Sequence, residues 1–327
     1  MAVILATSRS FGDGAADLAA QLDAAGHTLV RAASHHDVDE LSGILPTVDA
    51  WVAGTGPVTA AHLALAPRLR VIARYGVGVE AVDVDEATRR GIVVTNTPGA
   101  NADAVADHAV GLMLVALRHT VDGARRVRAG DWSARRGRQL GAAVVGVVGF
   151  GRIGRGVAAR LSGFGSRILA FDPYLPEADV RAAGAEPADV DAIFAAADVI
   201  TLHAPGGQTL VDAARLALLR PGAVIVNTAR ADLGDEQAVA DALRGGSLGA
   251  YAADMLAGDT AGGDSPLLAA DLADRVTVTP HLGAQTVEAV DLMGQGALDD
   301  ALAVLDGRAA RNAVNTPAPP AATKKDA

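Results

Sequence analysis

The chain has 327 residues, 50% of them hydrophobic, a formal charge of −10 and no cysteine. That length predicts two domains with ample cores, and the lack of cysteine excludes disulfides, thiolate metal sites and a cysteine nucleophile, which fits the cytoplasm. The acidic balance disfavours nucleic acid as a partner and gives no long-range pull on an anionic ligand, so any substrate carboxylate must be captured by local arginines and backbone amides.

From residue 1 to about 95, strand-like AVILAT, HTLVRA, DAWVAG, RVIARYG and GIVVTN alternate with helix-like segments such as DGAADLAAQLDAAG. This pattern predicts a parallel sheet with crossover helices. The opening apolar stretch lacks a basic segment before it and is strand-length, so no signal peptide is expected. No run reaches the roughly 20 apolar residues of a membrane helix, so no membrane role is expected. His35 and His36 fall in a loop without further ligands at usable spacing, so no metal is expected, and His62 and His119 read as surface residues. Asn101 to Arg128 reads as one long helix with apolar residues around much of its circumference, which predicts more than one buried face and a homodimer contact.

From Gly141 to Gly283 come six apolar runs: AVVGVV, RILAF, DVITL, AVIVN, GAYAA and RVTVT. They end respectively in the Gly149–Gly154 segment, Asp172, His203-Ala204-Pro205, Thr228-Ala229-Arg230, Asp254 and Pro280-His281. As parallel strands they would bring these residues to one carboxyl edge, where open α/β sheets bind ligands. TVEAVDLMGQGALDDALAVLDG then reads as a helix returning to the first domain, and TPAPPAATKKDA as a disordered tail. The expected fold is α/β. A flavodoxin-like substrate-binding domain takes 1–97 and 285–313, a Rossmann-type doubly wound domain takes 98–284, and 314–327 forms the tail.

In the glycine segment Gly149 can make the turn, Gly151 can admit a pyrophosphate and Gly154 can seat the helix. Asp172 follows at the interval expected of a carboxylate that accepts from an adenosine ribose, and Pro173-Tyr174 after it supplies no arginine, which favours NAD over NADP. Arg230 can bind a carboxylate through two parallel hydrogen bonds, and His281 can exchange a proton near neutral pH. Asp254 and Asp259 are the two acids that could orient the imidazole. Each of these residues also has a purely structural reading as a cap, a turn or a surface group.

The chain resembles the D-isomer-specific 2-hydroxyacid dehydrogenase family, in particular its phosphoglycerate dehydrogenase-like branch, as a short form without a C-terminal regulatory domain. The motifs TSRSFG, RYGVGVEAVD, NTPGANADAVADH, VVGFGRIGRGVA, FDPY, HAP, VNTAR, GAYAADM, SPLL, TPHLGAQT and RNAVNTP carry the resemblance in order. It implies an NAD-dependent oxidoreductase acting on a small anionic 2-hydroxy or 2-oxo acid, with catalytic Arg230, His281 and Asp259, the last standing where the family usually has glutamate. It implies cofactor contacts at Val77, Gly149, Gly151, Arg152, Ile153, Gly154, Asp172, Ala204, Pro205, Thr228, Ala229, Arg230, Asp254, His281, Gly283 and Ala284. Substrate contacts are implied at Arg74, Val77, Gly78, Arg230 and His281.

Departures from the family pattern bear on the substrate. Glu80 and Ala81 stand where the family has aspartate and asparagine, Ala231 replaces a glycine, and the loop after HAP is short. Ala53 occupies the position of the arginine that commonly meets the substrate phosphate. The cluster Arg135, Arg136 and Arg138 reads either as another anion site or as a solvated basic turn. Two further readings stay open: a phosphonate-bearing substrate, and a non-catalytic NAD-sensing protein of the same fold.

Overall fold

In a computed structural model of the chain, residues 1–258 and 264–317 are described. They form two compact units, numbered through in chain order: Met1–Asn101 with the described residues from Gln285 onward, and Ala102–Ala284.

The first unit holds β1 (Val3–Ala6), β2 (Thr28–Arg31), β3 (Ala50–Ala53), β4 (Val71–Arg74) and β5 (Val93–Thr95). All pair in parallel in the order β2-β1-β3-β4-β5, the flavodoxin-like arrangement. Its helices are α1 (Leu18–Ala24), α2 (Val38–Leu41), α3 (Ala60–Ala64), α4 (Val84–Arg89) and α12 (Val287–Leu305). β3 and β4 are buried along their whole length and apolar but for Arg74 at the end of β4, as expected of central strands covered on both faces. α1 begins only at Leu18, where the Asp17 side chain accepts from Ala20 N; the amides of Ala15 and Ala16 just before it are taken by Asp291 of α12.

His62 is 1% exposed, which corrects its reading as a surface residue. Its Nδ1 meets Thr59 in a capping box, its Nε2 lies 2.8 Å from the His36 carbonyl oxygen, and its ring packs at 5.8 Å from Trp51. A histidine whose two nitrogens are both satisfied by backbone and cap can be buried without penalty.

The second unit holds a seven-stranded parallel sheet in the order β12-β11-β10-β9-β6-β7-β8. The strands are β6 (Val144–Val148), β7 (Arg167–Phe171), β8 (Glu186–Pro187), β9 (Val199–Leu202), β10 (Ala223–Asn227), β11 (Leu248–Ala253) and β12 (Val276–Val278). Read from β8, the order reverses direction between β6 and β9, as in a doubly wound Rossmann sheet. β8 has two residues, too short for any hydropathy pattern, and was not expected.

The helices of this unit are α5 (Ala102–Arg118), α6 (Thr120–Arg128), α7 (Arg152–Ser162), α8 (Glu177–Ala182), α9 (Val190–Ala196), α10 (Ala213–Leu216) and α11 (Glu236–Gly245). The expected single helix over Asn101–Arg128 is therefore two helices, bent by 59° at His119, whose φ is +52°. Hydrophobicity explains the break. α5 buries Val105, Ala109, Leu112, Met113 and Leu117 in the core, whereas Asp122 alone is buried on α6. α5 lies close on α7, where a Cβ added to Gly156 would stand 3.2 Å from Ala106 Cβ. Among the described residues no single helix is long and apolar enough to cross a membrane.

Candidate active site

The pairing register of the larger sheet aligns the ends of its strands. Phe171, Val148, Leu202, Asn227, Ala253 and Val278 lie side by side. One residue further on, Asp172, Gly149, His203, Thr228, Asp254 and Thr279 therefore form a row along the carboxyl edge.

At the first turn of this row, Gly149 has φ +90°, and a Cβ there would stand 2.5 Å from His203 C and 2.6 Å from Ala204 N. Gly154, on the first turn of α7, would place a Cβ 2.2 Å from Gly149 O, so only glycine lets helix and strand meet. Gly151, the N-cap, is exposed with open space around its Cβ position, and no side chain caps the helix. The first amides of an eleven-residue helix are thus available to an anion beside a surface free of side chains. Arg152 is exposed at the helix start, and Ile153 packs against the core. Asp172 is oriented by Phe150 N and Tyr174 N, each at 2.9 Å, and its oxygens keep further acceptor capacity.

Two buried polar atoms on the same edge, His203 Nδ1 and Thr228 Oγ1, have no hydrogen-bond partner among the described residues. His203 Nε2 lies 2.9 Å from Thr201 Oγ1, and burial pushes the imidazole down to about 3, so it is neutral. Ala204 and Pro205 follow at the loop start. An open glycine cradle, an oriented carboxylate and orphaned polar atoms together fit a dinucleotide laid across this edge.

Arg230 closes the turn after β10. Buried Asn227 builds that turn, with Oδ1 accepting from Ala229 N at 3.0 Å and Nδ2 donating to Arg230 O at 2.7 Å. The half-buried Arg230 guanidinium donates to the Ala229 carbonyl at 2.7 Å. Behind the turn, burial pushes the Tyr251 phenol up to about 12, so it remains protonated.

Asp254 is 2% exposed. Burial pushes its carboxyl up, but bonds from His108, Thr279 and the amides of Gly283 and Leu282 outweigh this, holding it below the usual carboxylate value. Its Oδ1 accepts from Thr279 Oγ1 at 2.6 Å and Leu282 N at 2.7 Å and lies 3.1 Å from His108 Nε2; Oδ2 accepts from Gly283 N at 2.7 Å. His281 sits exposed in the turn so made, with φ +56° and its amide donating to the carbonyls of Asp254 and Thr279, both at 2.9 Å. Ala284 follows, partly buried. Asp259, the acid expected to pair with His281, lies outside the described residues, as do residues 318–327 of the expected tail. His108 was not singled out from the sequence. The only available signal was its place in NADAVADH, on a helix otherwise read as apolar.

In the smaller unit, Arg74 is buried at the end of β4, its guanidinium directed at the carbonyls of Tyr75 and Ala53. Val77 and Gly78 lie in the following loop, with the Val77 carbonyl accepting from Asn96 Nδ2 at 2.8 Å. Ala53 is wholly buried in β3. Arg135 pairs with Asp274 at 3.0 Å and Arg138 with Asp198 at 2.9 Å, which favours the basic-turn reading of that cluster. Among the described residues no group of three or more His, Asp or Glu could hold a metal.

A family model described as D-isomer specific 2-hydroxyacid dehydrogenase, NAD binding domain, matches residues 110–283. The chain is 41% identical over 285 residues to D-3-phosphoglycerate dehydrogenase of Mycobacterium leprae, covering 85% of this chain and 53% of that protein. It thus spans about half the length of such relatives. With hydroxypyruvate reductase of Thermotoga maritima it is 36% identical over 266 residues, covering 80% of this chain and 86% of the other. Among solved structures, the TT0316 protein from Thermus thermophilus superposes with a TM-score of 0.84 at 30% identity, over 96% of this chain and all (100%) of that one. With the glycine cradle, Asp172 and the Asp254 turn lying inside the matched span, the chain belongs to the D-isomer specific 2-hydroxyacid dehydrogenase family, and its larger unit is that family's NAD binding domain.

Proposed function

We propose that the protein is an NAD-dependent oxidoreductase that interconverts a small 2-hydroxy acid and its 2-oxo acid. The carrying observation is the single sheet edge on which the cradle at Gly149–Gly154, the Asn227-built turn of Arg230 and the Asp254-built turn of His281 stand together. Bound NAD supplies the hydride acceptor for oxidation and the donor, as NADH, for reduction. The protein's residues do the rest. Arg230 holds the substrate carboxylate through two parallel hydrogen bonds and polarises the C2–oxygen bond. His281 takes the hydroxyl proton on oxidation and returns it on reduction, with Asp259 as its partner acid. Asp172 accepts from the adenosine ribose, and Thr228, Ala204 and Pro205 line the cofactor. Val77 and Gly78 contribute to the substrate side, whereas Arg74, expected there too, is buried on the carbonyls of Tyr75 and Ala53.

The substrate is a phosphoglycerate-like or smaller acid. The 41% identity to D-3-phosphoglycerate dehydrogenase supports the phosphorylated class, whereas a buried Ala53 where a phosphate-binding arginine would stand supports the smaller, unphosphorylated one. The exposed Trp132, Val121 and Val127 support a homodimer, to be checked by light scattering. The cysteine-free composition supports a cytoplasmic location, to be checked by fractionation.

The deciding experiment follows NADH consumption with hydroxypyruvate, glyoxylate, pyruvate, 3-phosphohydroxypyruvate and phosphonopyruvate. Arg230→Ala and His281→Ala are each expected to lower turnover by about 100-fold or more while NADH still binds. Turnover within about twofold of wild type in both variants would sink the assignment. NADH binding without turnover of any acid would point to the sensing role.

A further inference from the structure

We propose that His108 is a positioning residue: it fixes the rotation of the Asp254 carboxylate and, through it, the turn that carries His281. The inference rests on the reading of His281 as the proton-exchanging group. His108 lies on α5, a core helix remote in sequence from the strand ends, and reaches the edge with Nε2 at 3.1 Å from Asp254 Oδ1 and 3.0 Å from Thr279 Oγ1. Because the Thr279 hydroxyl gives its proton to Oδ1 at 2.6 Å, both oxygens face Nε2 as acceptors, and only an N–H there satisfies them.

Three donors then converge on Oδ1: His108, Thr279 and the Leu282 amide. Oδ2 has one, the Gly283 amide. The carboxylate is therefore held mainly through Oδ1, and His108 anchors that oxygen from outside the loop. The same carboxylate organises the His281 turn. The amides it holds are the two that follow His281, while the His281 amide is held by the Asp254 and Thr279 carbonyls. His281 is in the left-handed region, which a non-glycine residue keeps only while its surroundings over-determine it. Because the amides of Leu282 and Gly283 are both bonded to the carboxylate at 2.7 Å, a rotation of the carboxylate pulls on the turn.

The experiment compares His108→Leu, which removes the donor, with His108→Gln, whose amide N–H reaches a similar position. NADH affinity is read by fluorescence titration, and kcat and KM by oxo-acid turnover. His108→Leu is expected to lower NADH affinity and kcat by about 10-fold each, the worth of one hydrogen bond to a buried charged group, with the KM for the oxo acid changing by less than about twofold. KM is spared because the Arg230 turn is anchored separately by Asn227. His108→Gln is expected to recover most of both losses. Wild-type affinity and kcat in His108→Leu, or equal damage in the two variants, would overturn the proposal. Should the wild type turn over no oxo acid, the functional reading fails on its own, and the NADH titration still decides the part played by His108. If His108→Leu does not fold, Thr279→Val removes another donor to the same oxygen; the same pattern is expected, and wild-type behaviour there would equally overturn the proposal.

Discussion

The two parallel sheets of this molecule end their strands in opposite ways. In the smaller unit the turn after β1 is closed by its own side chains: Trp51 Nε1 donates to Thr7 Oγ1 at 2.9 Å, and a Cβ at Gly54 would stand 2.7 Å from the Thr7 carbonyl. Arg74 fills the end of β4. In the larger unit the equivalent turn after β6 is built from glycines, with open space at Gly151. One layer architecture thus serves two ends. A filled turn stabilises its own unit, while a glycine turn before an uncapped helix leaves room and backbone amides for a ligand.

The sharpest way to break this comparison is Gly149→Ala. The substitution combines a left-handed φ with a backbone collision, and strain of about 1–3 kcal/mol or more should fall on the larger unit. Titration should then show NADH affinity reduced by roughly 10- to 100-fold. Unchanged affinity would show that the cradle is not where NAD lies.

A paired test separates plug from cradle. Gly151→Ala meets open space, so the melting midpoint should hold while NADH affinity falls by about 10-fold, because the added methyl occupies ligand space. Gly54→Ala should do the reverse, lowering the melting midpoint by several degrees with NADH affinity intact. Identical behaviour of the two variants would erase the distinction.

Acid probes the plugged side more gently. His36 is 2% exposed, packs 5.1 Å from Trp51, and burial pushes it from 6.5 down to about 4, with the charges of His62, Arg74 and His35 acting in the same direction. Between those values the unfolded chain holds a proton that the folded chain does not, so stability falls as the pH drops through this window. From pH 7 to pH 5 the loss from this one residue is about 2 kcal/mol. Because the buried His203 of the larger unit acts the same way, the contribution of His36 should be isolated with His36→Asn, which tolerates the left-handed backbone. Denaturant titrations of that variant at the two pH values should show a smaller loss than wild type; equal losses would remove His36 as the source.

The sheet edge was legible in the sequence because its chemistry falls at strand ends, where an apolar run stops and a glycine, acid, arginine or histidine begins. What the pattern could not show depends on tertiary neighbours. His108 sits among apolar residues at helical spacing, and nothing local reveals that its ring meets Asp254 and Thr279 on distant strands. His62 looked like a surface residue because the backbone and cap groups that satisfy its nitrogens come from folding. The break at His119 has no proline or helix-stop glycine to mark it. It follows from where the apolar face of α5 ends.

The smaller unit is stitched together from the two ends of the chain. Arg70 donates to the carbonyls of Val304 and Leu305, Asn315 accepts from Val94 N, and Asp291 holds the amides before α1. During synthesis these partners emerge only after the whole of the larger unit has been made. The nascent chain must therefore carry its N-terminal five-stranded sheet without α12 through most of translation, and the contiguous unit can mature first. Such long-range closure slows folding and leaves apolar surface exposed in the interval. Chaperone dependence and truncation sensitivity should accordingly track the residues after Gln285 more closely than those of the ligand-binding edge.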